Sequence, residues 1–154
     1  MNPSELLETI RDVLKNDQDI ASFCTDKFLK YPTILLGVDD NSLPEASDYP
    51  VIAIAGIREV GGNAQNMHTW HVDIAAGVMQ EEIITSETMG ETQAKTFTGM
   101  LQAEDLKKLV EKAVTSARFA KISTDGESGS ISFFPLYMSY TTITITTAAK
   151  RRRN

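Results

Sequence analysis

The chain has 154 residues, of which 42% are apolar, and it carries a formal net charge of −6. A chain of this length forms one domain of ordinary size and buries roughly 70% of the surface of its extended form. Its last five residues hold four of the 15 basic side chains, so the remaining body has 11 basic and 21 acidic residues. Such an acidic body argues against sequence-specific binding to duplex DNA.

The sequence shows no sign of export or of a membrane span. The single cysteine, Cys24, cannot form a disulfide framework, and no metal-binding pair of cysteines is present. No apolar run approaches the length of about 18 residues that a spanning helix needs, and the first residues lack the basic and apolar leader of a secreted protein. We therefore expect a protein that is made in the cytoplasm without a membrane partner.

The first 15 residues predict a capped amphipathic helix. Asn2 is expected to be the N-cap, with Pro3 at the first helical position and Glu5 returning a hydrogen bond three residues after the cap. The apolar residues that follow recur at helical spacing and form one stripe. These residues are Leu6, Leu7, Ile10, Val13 and Leu14.

A second short helical segment is predicted directly after the first. Asp17 or Asp19 is expected to cap it, and its apolar side chains are Ile20, Phe23 and Cys24. Because the neighbours of Cys24 are apolar and no histidine lies near it in sequence, we interpret this cysteine as a small core residue rather than as a nucleophile.

A β-hairpin over residues 51–79 is the predicted centre of the sheet, preceded by a short strand over 31–38 and a polar loop. The first arm, VIAIAGI, is apolar or small on both faces, so it is expected to lie in the middle of the sheet. The second arm alternates with a period of two. The connection over 58–67 contains Gly61, Gly62 and Asn63, which tolerate positive φ. One face is expected to pack on a helix, whereas Ala75 and Gly77 would let a second surface approach the other face closely.

Residues 80–102 have no sustained period, and loops of this length in compact domains are often functional or disordered. One alternative is a mobile surface loop. The other, which we favour, is an extended hairpin arm with its tip near Gly90 that becomes ordered on a neighbouring subunit, because the segment has more apolar side chains than a solvated loop needs. The candidate interface residues are Ile83, Ile84, Met89, Phe97, Met100 and Leu101.

The next segment predicts a long helix that packs on the sheet. Glu104 and Asp105 are expected in its first turn, and Arg118 and Lys121 in its last turn, where they suit the helix dipole. Its apolar side chains form a single stripe. These are Leu106, Leu109, Val110, Ala113, Val114 and Ala117.

The end of the chain predicts strands over 119–123, 130–134 and 136–147, with Pro135 at a bulge or an edge. In the last strand, one face carries Ile143 and Ile145. The opposite face carries threonine hydroxyls that are either exposed to solvent or in contact with another protein. Its residues Thr142, Thr144 and Thr146, together with Arg58, are further candidate interface residues.

Together the elements predict one α+β domain over residues 1–149, with a mixed or antiparallel sheet, a long central hairpin, one long helix and an N-terminal helix. The arm over about 80–102 extends from it, and a basic tail over 150–154 follows it. This tail is a candidate docking segment for nucleic acid or for an acidic protein face, and the other alternative is that it has no partner. Its basic residues are Lys150, Arg151, Arg152 and Arg153.

The sequence offers little that indicates catalysis. His68 and His71 lie three residues apart on a predicted strand, so they face opposite sides and cannot share a metal ion. His71 and Asp73 share a face and could supply two ligands, but a third would have to come from elsewhere. Phosphate-binding glycine loops and a nucleophile elbow are absent from the sequence. We therefore expect a protein that is not an enzyme and that has no cofactor.

The chain resembles the tail terminator, or tail completion, proteins of long-tailed bacteriophages. The resemblance extends over residues 1–147 and rests on the capped N-terminal helix, the pair YPVIAIAGI and HTWHVDIAAGVM around a glycine-containing loop, the helix AEDLKKLVEKAV and the closing strands. It includes no diagnostic motif, so it implies no catalytic or binding residue.

The resemblance implies a virion protein that forms a ring, commonly of six copies, on the finished tail tube. Such a ring ends the polymerisation of the tube and joins the tail to the neck of the head. The implied partners are further copies of this chain, the tail tube protein, the neck proteins, and DNA that passes through the lumen without sequence-specific binding. The alternatives are another neck or head completion subunit and, from a different class, a small-molecule-binding or hydrolytic domain that uses His71 and Asp73.

Overall fold

The computed structural model describes residues 1–39, 41–60, 67–87, 90, 92–124 and 126–148. These residues form an α+β fold with helices on one face of a mixed sheet, as the sequence predicts. The helices are α1 (Pro3–Asn16), α2 (Gln18–Phe28) and α3 (Thr98–Ser116). The strands are β1 (Thr33–Leu36), β2 (Val51–Val60), β3 (Met67–Met79), β4 (Ile83–Glu87), β5 (Gln93–Phe97), β6 (Lys121–Ser123), β7 (Ser128–Phe133) and β8 (Leu136–Ala148).

The two N-terminal helices begin where the sequence predicts. The Asn2 side chain accepts a hydrogen bond from the backbone N–H of Glu5, and the Glu5 carboxylate accepts one from the backbone N–H of Asn2, at 2.8 and 3.1 Å. Asp17, one of the two predicted caps, accepts from the N–H of Ile20 at 2.9 Å. Each cap provides a partner for backbone donors that a helix start leaves unpaired.

The main sheet has the order β1-β2-β3-β8-β6, and β7 also pairs with β8. Strands β2 and β3 are therefore internal, which confirms the predicted position of the central hairpin. Strand β1 runs parallel to β2, and the other pairs of this sheet are antiparallel. The predicted connection through Gly61, Gly62 and Asn63 lies outside the described residues.

The core lies between the sheet and the three helices. Alternate residues of β3 from Trp70 to Val78 are buried, and they pack with buried residues of β2, β8 and the helices. Each fully buried Leu or Ile side chain contributes roughly 1.5–3 kcal/mol. The largest of these fully buried aliphatic side chains are Leu6, Ile10, Leu14, Ile20, Ile52, Ile54, Ile74, Leu106, Ile143 and Ile145.

Helix α3 begins earlier and ends earlier than predicted. It starts at Thr98, so Glu104 and Asp105 lie one turn or more inside it, and it ends at Ser116. Arg118 follows the helix with φ of 54°, and Lys121 belongs to β6 rather than to the last turn. Ala117 is the exposed C-cap residue and does not extend the buried stripe.

Packing explains the early start of α3. Gly99 is buried, and a Cβ at this position would lie 2.4 Å from the Cδ2 atom of Tyr137. The glycine thus lets the helix backbone lie directly against a buried aromatic ring. Residues 80–102 show no sustained period, and the tertiary contact of Gly99 overrides the low helix propensity of glycine.

The closing strands lie at the edge of the main sheet. Strands β6 and β7 both pair with the same side of β8, opposite residues 144–146 and 136–141. Pro135 lies in the turn between β7 and β8, not at a bulge or within an edge strand. The turn suits a residue that cannot donate a ladder hydrogen bond.

The predicted threonine surface of β8 is also only partly correct. Thr144 and Thr146 are half-buried on the face away from the helices, but Thr142 on the same face is only 7% exposed. The turn between β6 and β7 covers Thr142, whose backbone N–H donates to the carbonyl of Glu127 at 2.9 Å. Further threonines, Thr141 and Thr147, are buried on the opposite face.

Candidate subunit interface

The segment after β3 forms an exposed hairpin. Strands β4 and β5 pair with each other, from Ile83 opposite Phe97 to Glu87 opposite Gln93, and form a separate two-stranded sheet. All residues of β5 and the side chains of residues 83–86 are exposed. A two-stranded hairpin with no core of its own is marginally stable in water, and the large apolar side chains of this arm, Ile83, Ile84 and Phe97, are exposed.

The base of the arm is held to the domain. The backbone N–H of Gln80 donates to the carbonyl of Pro135 at 2.9 Å, and the N–H and hydroxyl of Thr98 donate to Glu82 at 3.2 and 3.0 Å. The rings of Phe97 and Phe134 meet edge to face with centroids 5.8 Å apart. The direction in which the arm leaves the domain is therefore fixed by the sheet and by α3.

The candidate residues of this segment form an apolar surface at the arm and its base, which we call the arm patch. Met100 and Leu101 belong to it, but they lie in the first turn of α3 rather than in the arm as predicted. Met89 lies outside the described residues. The exposed candidates in the arm patch are Ile83, Ile84, Phe97, Met100 and Leu101, and we include Phe134 because its exposed ring contacts Phe97.

Two other candidate interface residues, Arg58 and Thr142, meet at Asp73. The Arg58 guanidinium Nη1 lies 2.6 Å from Asp73 Oδ2, and the Thr142 hydroxyl donates to Asp73 Oδ1 at 2.6 Å. Both carboxylate oxygens of Asp73 therefore have partners within the chain. The arrangement links side chains of β2, β3 and β8, and the Arg58 side chain remains 56% exposed.

The predicted pair of His71 and Asp73 lies on one face of β3, as expected. His71 lines an open cleft of about 440 Å³ together with Arg58, Gly126, Glu127 and Thr142. On the other face, His68 Nδ1 lies 2.7 Å from Glu59 Oε1. Within the described part of the chain, no group of three or more His, Cys, Asp or Glu side chains is arranged to hold a metal ion.

Cys24 is buried in the core among residues of the helices. Burial raises the pKa of its thiol to about 12, because the apolar surroundings disfavour the thiolate. A thiol that stays protonated at neutral pH is a poor nucleophile. This position agrees with the structural role that the sequence indicates.

The small-residue face of the sheet is partly covered by the chain itself. A Cβ at Gly77 would lie 2.9 Å from the Cε1 atom of Tyr49, so the tyrosine ring already occupies the close approach expected for a second surface. Beside it, Ala53, Ala75 and other residues line a trough of about 420 Å³. Burial and the negative charge of Asp48 raise the pKa of Tyr49, which therefore stays neutral.

A polar cluster between α3 and the sheet was not predicted from the sequence. Glu104 accepts hydrogen bonds from the Ser139 hydroxyl at 2.6 Å and from the Lys107 ammonium at 3.3 Å. Burial by itself would raise the pKa of Glu104, but these hydrogen bonds and the positive charges of Lys107 and Lys108 outweigh it, so the pKa lies below its ordinary value. The sequence does indicate a Glu104–Lys107 ion pair, because side chains three residues apart on a helix are neighbours.

The edge of the sheet at β1 also carries exposed apolar side chains that were not predicted as interface residues. Leu29, Tyr31 and Leu43 are 90%, 70% and 68% exposed. Leu43 lines a cleft of about 470 Å³ together with other apolar residues and with Asp39, Glu45 and Asp48. Exposed apolar patches with polar rims mark interaction sites.

The basic tail, Lys150 to Arg153, lies outside the described residues, so its predicted docking role stays a prediction. None of the described helices is both long enough and apolar enough to cross a membrane. In the comparisons with known proteins, no family model and no curated protein matches the chain.

Proposed function

We propose that this chain is a structural subunit of a ring that caps the tail tube of a long-tailed bacteriophage. The ring ends the polymerisation of the tube and joins the tail to the neck, and the subunit has no catalytic role. The resemblance of residues 1–147 to tail terminator proteins supports this proposal.

The observation that carries the proposal is the exposed arm of β4 and β5. Its strands have no core, its large apolar side chains Ile83, Ile84 and Phe97 face water, and its base is held in place by Gln80 and Thr98. Ordering two strands costs conformational entropy, and an isolated hairpin buries too little apolar surface to balance that cost. Contact with a second copy or with the tube beneath would bury these side chains and offset that cost.

A ring is the expected product of such a contact. The arm and the rest of the domain are different surfaces, so an arm of one copy that contacts another part of the next copy makes a heterologous interface. A heterologous interface closes into a ring when the rotation per subunit allows it. The acidic body then gives a lumen that DNA crosses without tight binding, because like charges repel.

The same surfaces would also serve a head completion or neck subunit, which is the second candidate. The small-molecule-binding alternative has less support, because Arg58 and Thr142 already occupy the carboxylate oxygens of Asp73.

Tube growth tests the proposal directly. Tail tube protein is polymerised with and without the purified chain, and tube lengths and ends are measured by electron microscopy. The proposal predicts that tubes stop growing when the chain is added and that each stopped tube carries a ring at one end. Tubes of unchanged length without end rings would contradict it, whereas binding of the chain to neck proteins alone would favour the second candidate.

A further inference from the structure

The β1 edge of the main sheet is apolar and acidic. Leu29, Tyr31 and Leu43 are largely exposed, and Leu43 lines a cleft together with Asp39, Glu45 and Asp48. The nearby Lys30 ammonium donates to the backbone carbonyl of Ser47 and balances one of the three negative charges, so the surface keeps an acidic excess. We call this surface the β1 edge.

The opposite edge of the sheet is formed by β6 and β7, which follow one another along β8. Strand β7 has no charged residue, and its Ile131 and Phe133 are 47% and 69% exposed. An uncharged exposed edge strand is open to pairing with another strand. We call this surface the β7 edge.

Basic side chains lie at one end of the β7 edge. Arg118 and Lys121 are exposed beside β6, whereas the acidic residues of this part of the chain, Asp125 and Glu127, belong to the connection between β6 and β7. Both edges of the sheet therefore have apolar centres, and the basic pair beside β6 can face the carboxylates of a β1 edge.

We propose that the β1 edge of one copy docks on the β7 edge of the next copy. This contact rests on the proposed function, because it names the surfaces through which the subunits of the ring meet. It is heterologous, so repeated contacts add copies in one rotational direction until the ring closes. Phe134 joins the β7 edge to the base of the arm through its contact with Phe97, so the arm patch extends the same interface.

The strand directions suit this contact. Strand β1 is parallel to β2, and the next three pairings across the sheet are antiparallel, so β1 and β7 run in opposite directions within one copy. When the next copy continues the sheet in the same orientation, its β1 meets β7 in antiparallel pairing. Added strands of this kind satisfy the unpaired backbone groups of an edge.

Charge disfavours a symmetric contact of two β1 edges. Such a contact would place Asp39, Glu45 and Asp48 opposite the same three carboxylates, and like-charge contacts oppose association. A symmetric contact of two β7 edges brings fewer like charges together, so it is the symmetric arrangement that competes with the proposed contact.

Two substitutions separate these arrangements. Leu43→Asp disrupts only the β1 edge, and Phe133→Asp disrupts only the β7 edge. The two side chains are 68% and 69% exposed, so neither substitution removes core packing, and thermal unfolding checks the fold. The full-length variants are studied by sedimentation velocity at micromolar concentration, alone, mixed, and with tail tube protein.

The proposed contact predicts that each variant alone is monomeric, with self-association at least about tenfold weaker than in the wild type. An equimolar mixture forms a 1:1 dimer and no ring, because only one competent pair of edges remains. The Glu45→Lys and Lys121→Glu variants give a second test: each weakens assembly, and combining both substitutions in one chain restores it.

Several results would overturn the contact. Rings of wild-type size from both variants would place the interface elsewhere while leaving the proposed function intact. Dimers of Leu43→Asp alone would indicate symmetric pairing of β7 edges, and a mixture that stays monomeric would also contradict the contact. A wild-type chain that is monomeric with and without tube protein would contradict the proposed function and the contact together.

Discussion

At the scale of single residues, the cluster of Glu104, Lys107 and Ser139 joins α3 to β8. Ser139 is fully buried and the Lys107 side chain is 9% exposed, so both depend on the Glu104 carboxylate for hydrogen bonds. A buried polar group without a partner costs free energy. The cluster therefore fixes how the first half of α3 lies on the sheet, next to the base of the arm.

Glu104→Gln is expected to lower the free energy of unfolding by about 1–2 kcal/mol at pH 7, because Lys107 loses its counter-charge. The pKa of Glu104 is lower in the folded than in the unfolded protein. The extra unfolding free energy of the wild type over the variant is therefore fully present above the ordinary glutamate pKa of about 4.3. It is lost as the pH falls through the folded pKa. Urea unfolding of both proteins between pH 7 and 3 measures this difference.

Asp105→Asn is the matched control, because Asp105 is exposed on the same helix. We expect it to leave the unfolding free energy nearly unchanged at pH 7. A Glu104→Gln difference that stays constant down to pH 3 would show that the carboxylate charge does not stabilise the fold.

At the scale of elements, patterns with a clear period could be predicted from the sequence. The cap at Asn2, the alternation of β3 and the helical stripe from Leu106 to Val114 each reflect local geometry, and the structure confirms them. The start of α3 at Thr98 could not be predicted, because it depends on the long-range contact of Gly99 with Tyr137. The shared position of β6 and β7 on β8 likewise depends on pairing rather than on local sequence.

The arm provides a test at this scale. Ile83 and Phe97 are cross-strand partners, so their Cα atoms lie about 4.5–5.5 Å apart and a short Gly-Ser turn can replace residues 84–96. The change removes no buried side chain of the described arm, so the monomer is expected to unfold within about 2 °C of the wild type. Ring formation on the tail tube is expected to be lost, as light scattering would show.

Point variants refine the same test. Ile84→Ser removes a large exposed apolar side chain and is expected to weaken assembly, whereas Ser86→Ala on the same face of the strand is expected to leave it unchanged. If the shortened arm unfolds the monomer instead, the arm is part of the core. If the shortened arm still supports rings, the interface lies elsewhere.

At the scale of the whole molecule, the apolar sheet edges and the arm lie around one packed core. The arm candidates Ile83, Ile84 and Phe97 could be predicted from their apolar character in a polar segment. The β1 edge could not, because its exposed apolar side chains come from two segments, Leu29 and Tyr31 before β1 and Leu43 in the loop after it, and their exposure depends on how these segments fold. Arg58 and Thr142 were predicted as contact residues, and the structure shows that Asp73 binds both within the chain.

The central claim is that identical copies complete these surfaces. The most direct measurement is the mass of the wild-type chain in solution by light scattering across micromolar concentrations, with and without tail tube protein. The account predicts a closed ring of several copies, commonly six, at least when tube protein is present. A chain that remains monomeric under every one of these conditions would contradict it.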